Sequence, residues 1–141
     1  MTRERVFVAL GSNLGDRAAH LAHARARLAA LPDTAIIGAS VVEETAPLGP
    51  VPQGPYLNQM VLLETGLGPE ELLRRCLAIE AERGRERRER WGPRTLDLDL
   101  VRFGDRVLRE PGLTLPHPEL ARRDFWRRGI AELETPVGAH G

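Results

Sequence analysis

Hydrophobic and polar positions change period along this chain, and each change marks an element. Across residues 5–10, Val6, Val8 and Leu10 fall on alternate positions, the period of a half-buried strand. The GSNLGD stretch that follows is turn-like, with Asn13 or Asp16 available to cap a helix. From 17 to 31 the period lengthens. Leu21, Ala24, Leu28 and Leu31 recur at helical spacing until Pro32 ends the pattern. Residues 36–44 carry β-branched side chains and predict a strand. Residues 45–55, TAPLGPVPQGP, hold four prolines and two glycines and cannot form a regular element. Residues 56–65 read as another strand. Gly68-Pro69 then opens a helix whose buried stripe is Leu72, Leu73, Cys76 and Ile79, with Gly84 suited to its end.

Beyond that helix an arginine-rich loop leads to a strand over 95–103. Gly104-Asp105 turns the chain into a short strand at 106–108. The order is β-α-β-β-α-β with an appended hairpin. It predicts an α+β, ferredoxin-like domain over 1–141, with the helices covering one face of a largely antiparallel sheet.

Composition narrows the function classes. The 141 residues are enough for one domain with a real core. No apolar run approaches the roughly 20 residues of a membrane span, and the apolar part of the N-terminus is too short for a signal peptide. Cys76 is the only cysteine, which leaves no internal disulfide and no cysteine-based metal cluster. A cytoplasmic protein is the expectation. Net charge is zero, whereas nucleic-acid binders usually carry a basic excess or one dominant basic face. All 20 basic residues are arginine, which removes P-loop and Schiff-base chemistry because both require lysine. Arginine remains suited to a bidentate grip on phosphate.

The charge that exists is local. RGRERRERWGPR, residues 83–94, holds six arginines against two glutamates. It leads into LDLDL, where Asp97 and Asp99 interrupt a leucine strand and point to one face. Two residues along a strand span about 6.6 Å. At that separation two unit negative charges repel by roughly 2.5 kcal/mol at an effective dielectric near 20. A leucine-in, polar-out strand with both aspartates solvated is the bland reading. A divalent cation held by the pair and by substrate phosphates is the functional one. The interleaved glutamates equally allow the arginines to be a solvated, salt-bridged face. Beside an aspartate pair, however, an arginine loop makes a coherent polyphosphate site. Trp91 can anchor that loop or pack on a base. Asn58 offers a donor and an acceptor on one amide, matching the edge of a heterocycle, and Tyr56 can stack. His117 stands between Pro116 and Pro118, and Arg122 and Arg123 follow as a possible second phosphate arm. GSNLG is only loosely like a phosphate loop and lacks the lysine.

Together these stretches resemble the 6-hydroxymethyl-7,8-dihydropterin pyrophosphokinase family of folate synthesis. The resemblance lies in ALGSNLGDR (9–17), ETAPLGPVPQGPYLNQMVLLET (44–65), RWGPRTLDLDLVRFG (90–104), LTLPHPEL (113–120), and Arg123 with Phe125. It implies a ferredoxin-like fold and transfer of the terminal pyrophosphate of ATP to the pterin hydroxymethyl group, with AMP released. It further implies that Asp97 and Asp99 bind a pair of Mg²⁺ ions, and that Arg85 and Arg94 hold ATP and its transition state. Asp99 is also a candidate to help remove the alcohol proton. Glu80, Arg87, Trp91, Arg94, Thr114, His117 and Arg123 match ATP-contacting positions. Thr45, Leu48, Tyr56, Asn58 and Phe125 match the pterin pocket, with Tyr56 and Phe125 on either side of the ring. The chain departs from the family in a shorter arginine loop, in Gly112 where arginine is common, in Pro118 where tyrosine is common, and in the WRRGIAEL tail. A monomer that binds ATP and the pterin, without nucleic acid or membrane, is expected. The competing expectation is a non-catalytic ferredoxin-like module that binds nucleotide or RNA. Only 4% of the residues are aromatic, too few for the stacking face such a module needs.

Overall fold

A computed structural model describes residues 3–46, 53–84 and 95–134. Strand β1 (Glu4–Ser12) leads through a turn to helix α1 (Arg17–Ala29). Then come β2 (Thr34–Ala39), β3 (Glu43–Thr45), β4 (Tyr56–Thr65) and helix α2 (Pro69–Glu82). Strand β5 (Asp97–Phe103), a hairpin of β6 (Leu108–Glu110) and β7 (Leu113–Leu115), and helix α3 (Asp124–Glu134) complete the order. The main sheet runs β2-β4-β1-β5, every pairing antiparallel, with β3 extending the β2 edge of β4. This is the ferredoxin-like arrangement expected from the element order.

Local chemistry explains the helix ends. Asp16 is the cap of α1, its Oδ1 accepting the Ala19 N–H at 3.1 Å. Helix α2 starts with Pro69 at its first turn beside Glu70 and Glu71, and Gly84 beyond its end adopts φ +74°.

The sheet is covered on both faces, which corrects the expectation of helices on one face. Val6, Val8, Leu10, Val61, Leu63, Leu98 and Leu100 pack against Leu21, Ala24 and Leu28 of α1 and Leu72, Cys76 and Ile79 of α2. Phe7, Ala9, Met60, Leu62 and Val101 face the other way, against Trp126 and Ile130 of α3. The third helix is the element that the sequence pattern did not predict. Its Trp126, Gly129 and Ile130 form a buried i, i+3, i+4 stripe inside a run of arginines.

Two further differences have local causes. The strand predicted over 36–44 is split in two. Ser40 makes the break: its N–H donates to the Met60 carbonyl at 2.8 Å, and its Oγ accepts the Met60 N–H at 2.9 Å. A hydroxyl thus replaces a backbone carbonyl in the ladder, and the chain leaves β4 before rejoining it as β3. The hairpin strand predicted at 106–108 lies two residues later, and it pairs with 113–115 across Pro111-Gly112. Gly112 has φ +79°, the third position of a type II turn, which suits glycine there.

A bulge in β5 sets the faces of that strand. Phe7 pairs with Arg102 but Val8 pairs with Leu100, so Val101 is extra. Leu98, Leu100 and Phe103 therefore all enter the α1/α2 core, while Asp97, Asp99 and Val101 turn to the opposite face.

Candidate active site

The strand register lines up the polar residues across the sheet. Glu43, Asn58, Gly11 and Asp97 are successive partners in one row across β3, β4, β1 and β5. The next row is Met60, Ala9 and Asp99. Residues paired in antiparallel strands share a face, so both aspartates stand opposite the two smallest side chains of β1. Along that strand the side chains on this face shrink from Phe7 through Ala9 to Gly11. The diminishing series opens a cleft between the sheet and α3.

That cleft encloses about 480 Å³ of open space. Thr45, Tyr56 and Asn58 line one side, Asp97 and Asp99 another, and Arg123, Phe125 and Trp126 a third. Asn58 is held in place by its own amide, whose Nδ2 donates to Thr45 Oγ1 at 2.6 Å and to the Glu43 carbonyl at 3.4 Å. A carbonyl can only accept, which fixes the amide orientation and leaves Oδ1 over Gly11.

A second cleft, with about 550 Å³ of open space, is lined by Leu73, Leu98, Asp99, Gly112, Leu113, Thr114, His117 and Pro118. Asp99 lines both clefts, and the side chain is 31% exposed. His117 donates its backbone N–H to the Val101 carbonyl at 2.8 Å, fastening this loop to β5. Its Nδ1 accepts the Glu119 N–H at 3.0 Å. In the neutral ring the proton is therefore on Nε2, which lies 3.7 Å from Asp99 Oδ1. The ring meets Trp126 edge-on at 4.9 Å. The guanidinium of Arg123 lies over the same Trp126 ring, 4.6 Å from its centroid. Arg123 Nε is buried and has no hydrogen-bond acceptor among the described residues. An anion at the cleft would supply one.

Beneath the aspartates lies Glu80, only 5% exposed. Its Oε2 accepts the Leu98 N–H at 2.7 Å, the backbone donor between Asp97 and Asp99. Buried Cys76 is next to it; burial first, then the charges of Glu80 and Asp99, push its thiol up to about 12, so it stays protonated and unreactive.

The predicted residues thus divide by place. Thr45, Tyr56, Asn58 and Phe125 share the first cleft with the aspartates and Arg123, while Thr114 and His117 belong to the second. Glu80 stands beneath strand β5 and holds its backbone. Leu48, Arg85, Arg87, Trp91 and Arg94 lie outside the described residues. Sequence reasoning passed over Ala9, Gly11 and Trp126, which line the first cleft. The small residues in an otherwise bulky strand were the available signal.

The aspartate pair fits a hard divalent cation. Two carboxylates from one strand open onto shared space, and glycine and alanine opposite them leave room for an ion and its other oxygen ligands. Among the described residues no group of three or more His, Cys, Asp or Glu side chains could hold a metal.

Comparison with known proteins gives the family. The model of 7,8-dihydro-6-hydroxymethylpterin-pyrophosphokinase (HPPK) matches residues 7–135. A Pseudomonas aeruginosa protein named 2-amino-4-hydroxy-6-hydroxymethyldihydropteridine pyrophosphokinase is 40% identical over 141 residues, covering 97% of this chain and 87% of that protein. A protein of the same name from Methylorubrum extorquens is 40% identical over 129 residues, covering 92% of this chain and 82% of its own length. Another from Bacillus subtilis is 40% identical over 127 residues, covering 90% and 76%. With the family model spanning nearly the whole chain and the strand order matching a ferredoxin-like fold, this chain belongs to the HPPK family.

Proposed function

We propose that the chain transfers the terminal pyrophosphoryl group of ATP to the hydroxymethyl oxygen of 6-hydroxymethyl-7,8-dihydropterin, releasing AMP, in folate biosynthesis. The observation that carries this reading is Asp99, which opens onto two adjoining clefts of different character. The first has a flat floor, two aromatic walls and an oriented amide, which suits a planar heterocycle. The second brings Thr114 and His117 to the same aspartate, which suits a phosphate chain.

In this arrangement the alcohol oxygen attacks the β-phosphorus, the bond from that phosphorus to the α–β bridging oxygen breaks, and AMP leaves. The alcohol proton goes to solvent or to a carboxylate at the cleft. Magnesium held by Asp97 and Asp99 would neutralise phosphate charge. The chain's own residues supply position: Asn58 reads the ring edge, Tyr56 and Phe125 enclose it, and His117 and Arg123 donate toward phosphate oxygens. The arginines of 85–94 add counter-charge in this reading. A cytoplasmic monomer that binds no nucleic acid completes it.

The test is product identity. Incubation with ATP, Mg²⁺ and the reduced pterin should yield AMP in step with pterin pyrophosphate. Release of ADP alone would reject the reading, and release of inorganic pyrophosphate would point to nucleotidyl transfer. Asp97→Ala should lower turnover at least 100-fold with an unchanged far-ultraviolet circular dichroism spectrum. Full activity in that variant would remove the metal role.

A further inference from the structure

Beyond Gly11, the GSNLGD turn has no part in the chemistry above, and the donors there and at the start of α1 point elsewhere. Asn13 is 9% exposed, and its Nδ2 donates to Gln53 Oε1 at 2.6 Å and to the Gly54 carbonyl at 3.2 Å. Arg17 Nη1 donates to Glu44 Oε2 at 2.9 Å and to the Pro55 carbonyl at 3.0 Å. Asp16, not Asn13, caps α1, so the Asn13 amide can turn to these contacts.

The four acceptors have a common place in the chain. Glu44 precedes Thr45 and Pro55 precedes Tyr56, and Thr45 and Tyr56 are cross-strand partners in the wall of the first cleft. They stand where the two stems of the proline-rich loop leave the sheet. Strand β3, which carries one stem, is three residues long and among the described residues pairs only with β4. So short an edge ladder is among the first parts of a fold to open. The four prolines of this loop have no N–H, so its backbone offers more acceptors than donors. An asparagine amide and an arginine guanidinium supply donors: Arg17 spans the two stems through Glu44 and Pro55, and Asn13 fixes the second stem at Gln53 and Gly54.

We infer that Asn13 and Arg17 are positioning residues for the heterocycle: the β1–α1 turn braces both stems of the proline-rich loop and sets the spacing of Thr45 and Tyr56. The turn that looked loosely like a phosphate loop acts on the other substrate. Buried Asn13 carries most of the effect, because the Arg17–Glu44 pair is solvent-exposed and such pairs contribute little.

This inference rests on the proposed pterin reaction, and the experiment separates the two. Steady-state kinetics are measured for Asn13→Asp, which turns a donor into a carboxylate facing two acceptors, and for Arg17→Ala and Arg17→Lys. The KM for the pterin should rise at least tenfold in Asn13→Asp and about threefold in Arg17→Ala. Arg17→Lys should recover most of that loss. The KM for ATP should stay within about twofold, and kcat at saturation within about threefold. Amide hydrogen exchange at Thr45 and Tyr56 should quicken in the same variants. A pterin KM at the wild-type value in the variants overturns the inference. So does an equal rise in both KM values with a lowered melting temperature, which marks a general structural role. If Asn13→Asp does not fold, the two variants of the partly exposed Arg17 decide alone. If the wild-type chain forms no AMP, the reaction is wrong, and the exchange rates still judge the brace.

Discussion

Gly11 shows how a single missing side chain can shape the site. A Cβ built there would lie 3.5 Å from Asn58 Oδ1, 3.5 Å from Tyr56 Cδ1 and 3.9 Å from Asp97 Cβ. These are ordinary contact distances, so the fold accepts alanine. The methyl group would nevertheless occupy the floor of the first cleft, between the Asn58 amide and Asp97. Gly11→Ala is expected to keep wild-type stability within about 1 kcal/mol, since its φ is in the ordinary range. Its affinity for the pterin should fall at least tenfold, with ATP binding little changed. Titration calorimetry with each substrate alone checks both halves. Asn58 makes the complementary point. Its identity suggests ring recognition, but only Thr45 and the Glu43 carbonyl decide which end of the amide faces the cleft. Those partners lie 13 and 15 residues away in sequence.

At the scale of elements, α3 supplies one wall of the first cleft and was the least legible. It carries Phe125 and Trp126 and follows directly on Arg123. It is held to the sheet edge by Arg128 on Glu43 and by Glu132, which accepts the Val41 N–H at 3.1 Å. Its seat depends on Gly129, where a Cβ would come within 2.6 Å of Met60 Cβ. Replacing glycine by alanine inside a helix ordinarily gains about 1 kcal/mol. Here overpacking against β4, which costs typically about 1–3 kcal/mol, reverses the sign. Gly129→Ala should lower unfolding free energy by about 1–2 kcal/mol, read as a lower urea midpoint at unchanged m-value. An increase in stability would mean that α3 does not lie this close to Met60. The same glycine hid the helix, because its smallness breaks the apolar stripe that would otherwise announce it.

Across the whole molecule the ionisable groups make acid destabilising, by two routes. His20 Nδ1 accepts the Arg83 Nε–H at 2.9 Å, which requires a neutral ring. Burial first, then the Arg83 charge and that of His23, hold its pKa below 6.5, against the opposing effects of Asp16 and the Leu14 backbone. A histidine with a depressed folded pKa contributes stability that is complete above the unfolded value and is lost as pH falls below about 6.5. Three solvent-accessible carboxylates act lower down. Arg74 and Arg75 hold Glu71 at about 2, while Arg106 lowers Glu4, and Arg27 with His23 lowers Glu82. Their stabilisation is present above about 4.5 and fades as pH falls below it, and salt should weaken it. The urea midpoint should therefore drop between about pH 7.5 and 5.5 and drop again toward about pH 3.5. His20→Gln should flatten the first step alone, and about 0.5 M NaCl should shrink the second. A flat profile down to about pH 5 would exclude the His20 contribution.

What the sequence determined by itself was local or carried by a dense motif. The apolar runs and helical stripes made β1, β4, β5, α1 and α2 legible, because each is apolar enough to show its period. Asp97 and Asp99 stood out because paired anions in a leucine strand are electrostatically unfavourable without a purpose. The packing of α3 on the second face was set only in three dimensions, since its stripe includes a glycine and is crowded by arginines. So were the break at Ser40, the extra residue Val101 and the site residues Ala9 and Gly11. A hydroxyl that replaces a carbonyl, a bulge that reverses the facing of a strand, and a gap left by small side chains acquire meaning only from what lies opposite. The GSNLGD turn follows the same rule. Its residues were visible as a motif, but the acceptors that give Asn13 and Arg17 their role lie 27 to 41 residues away, brought near by the pairing of β3, β4 and β1.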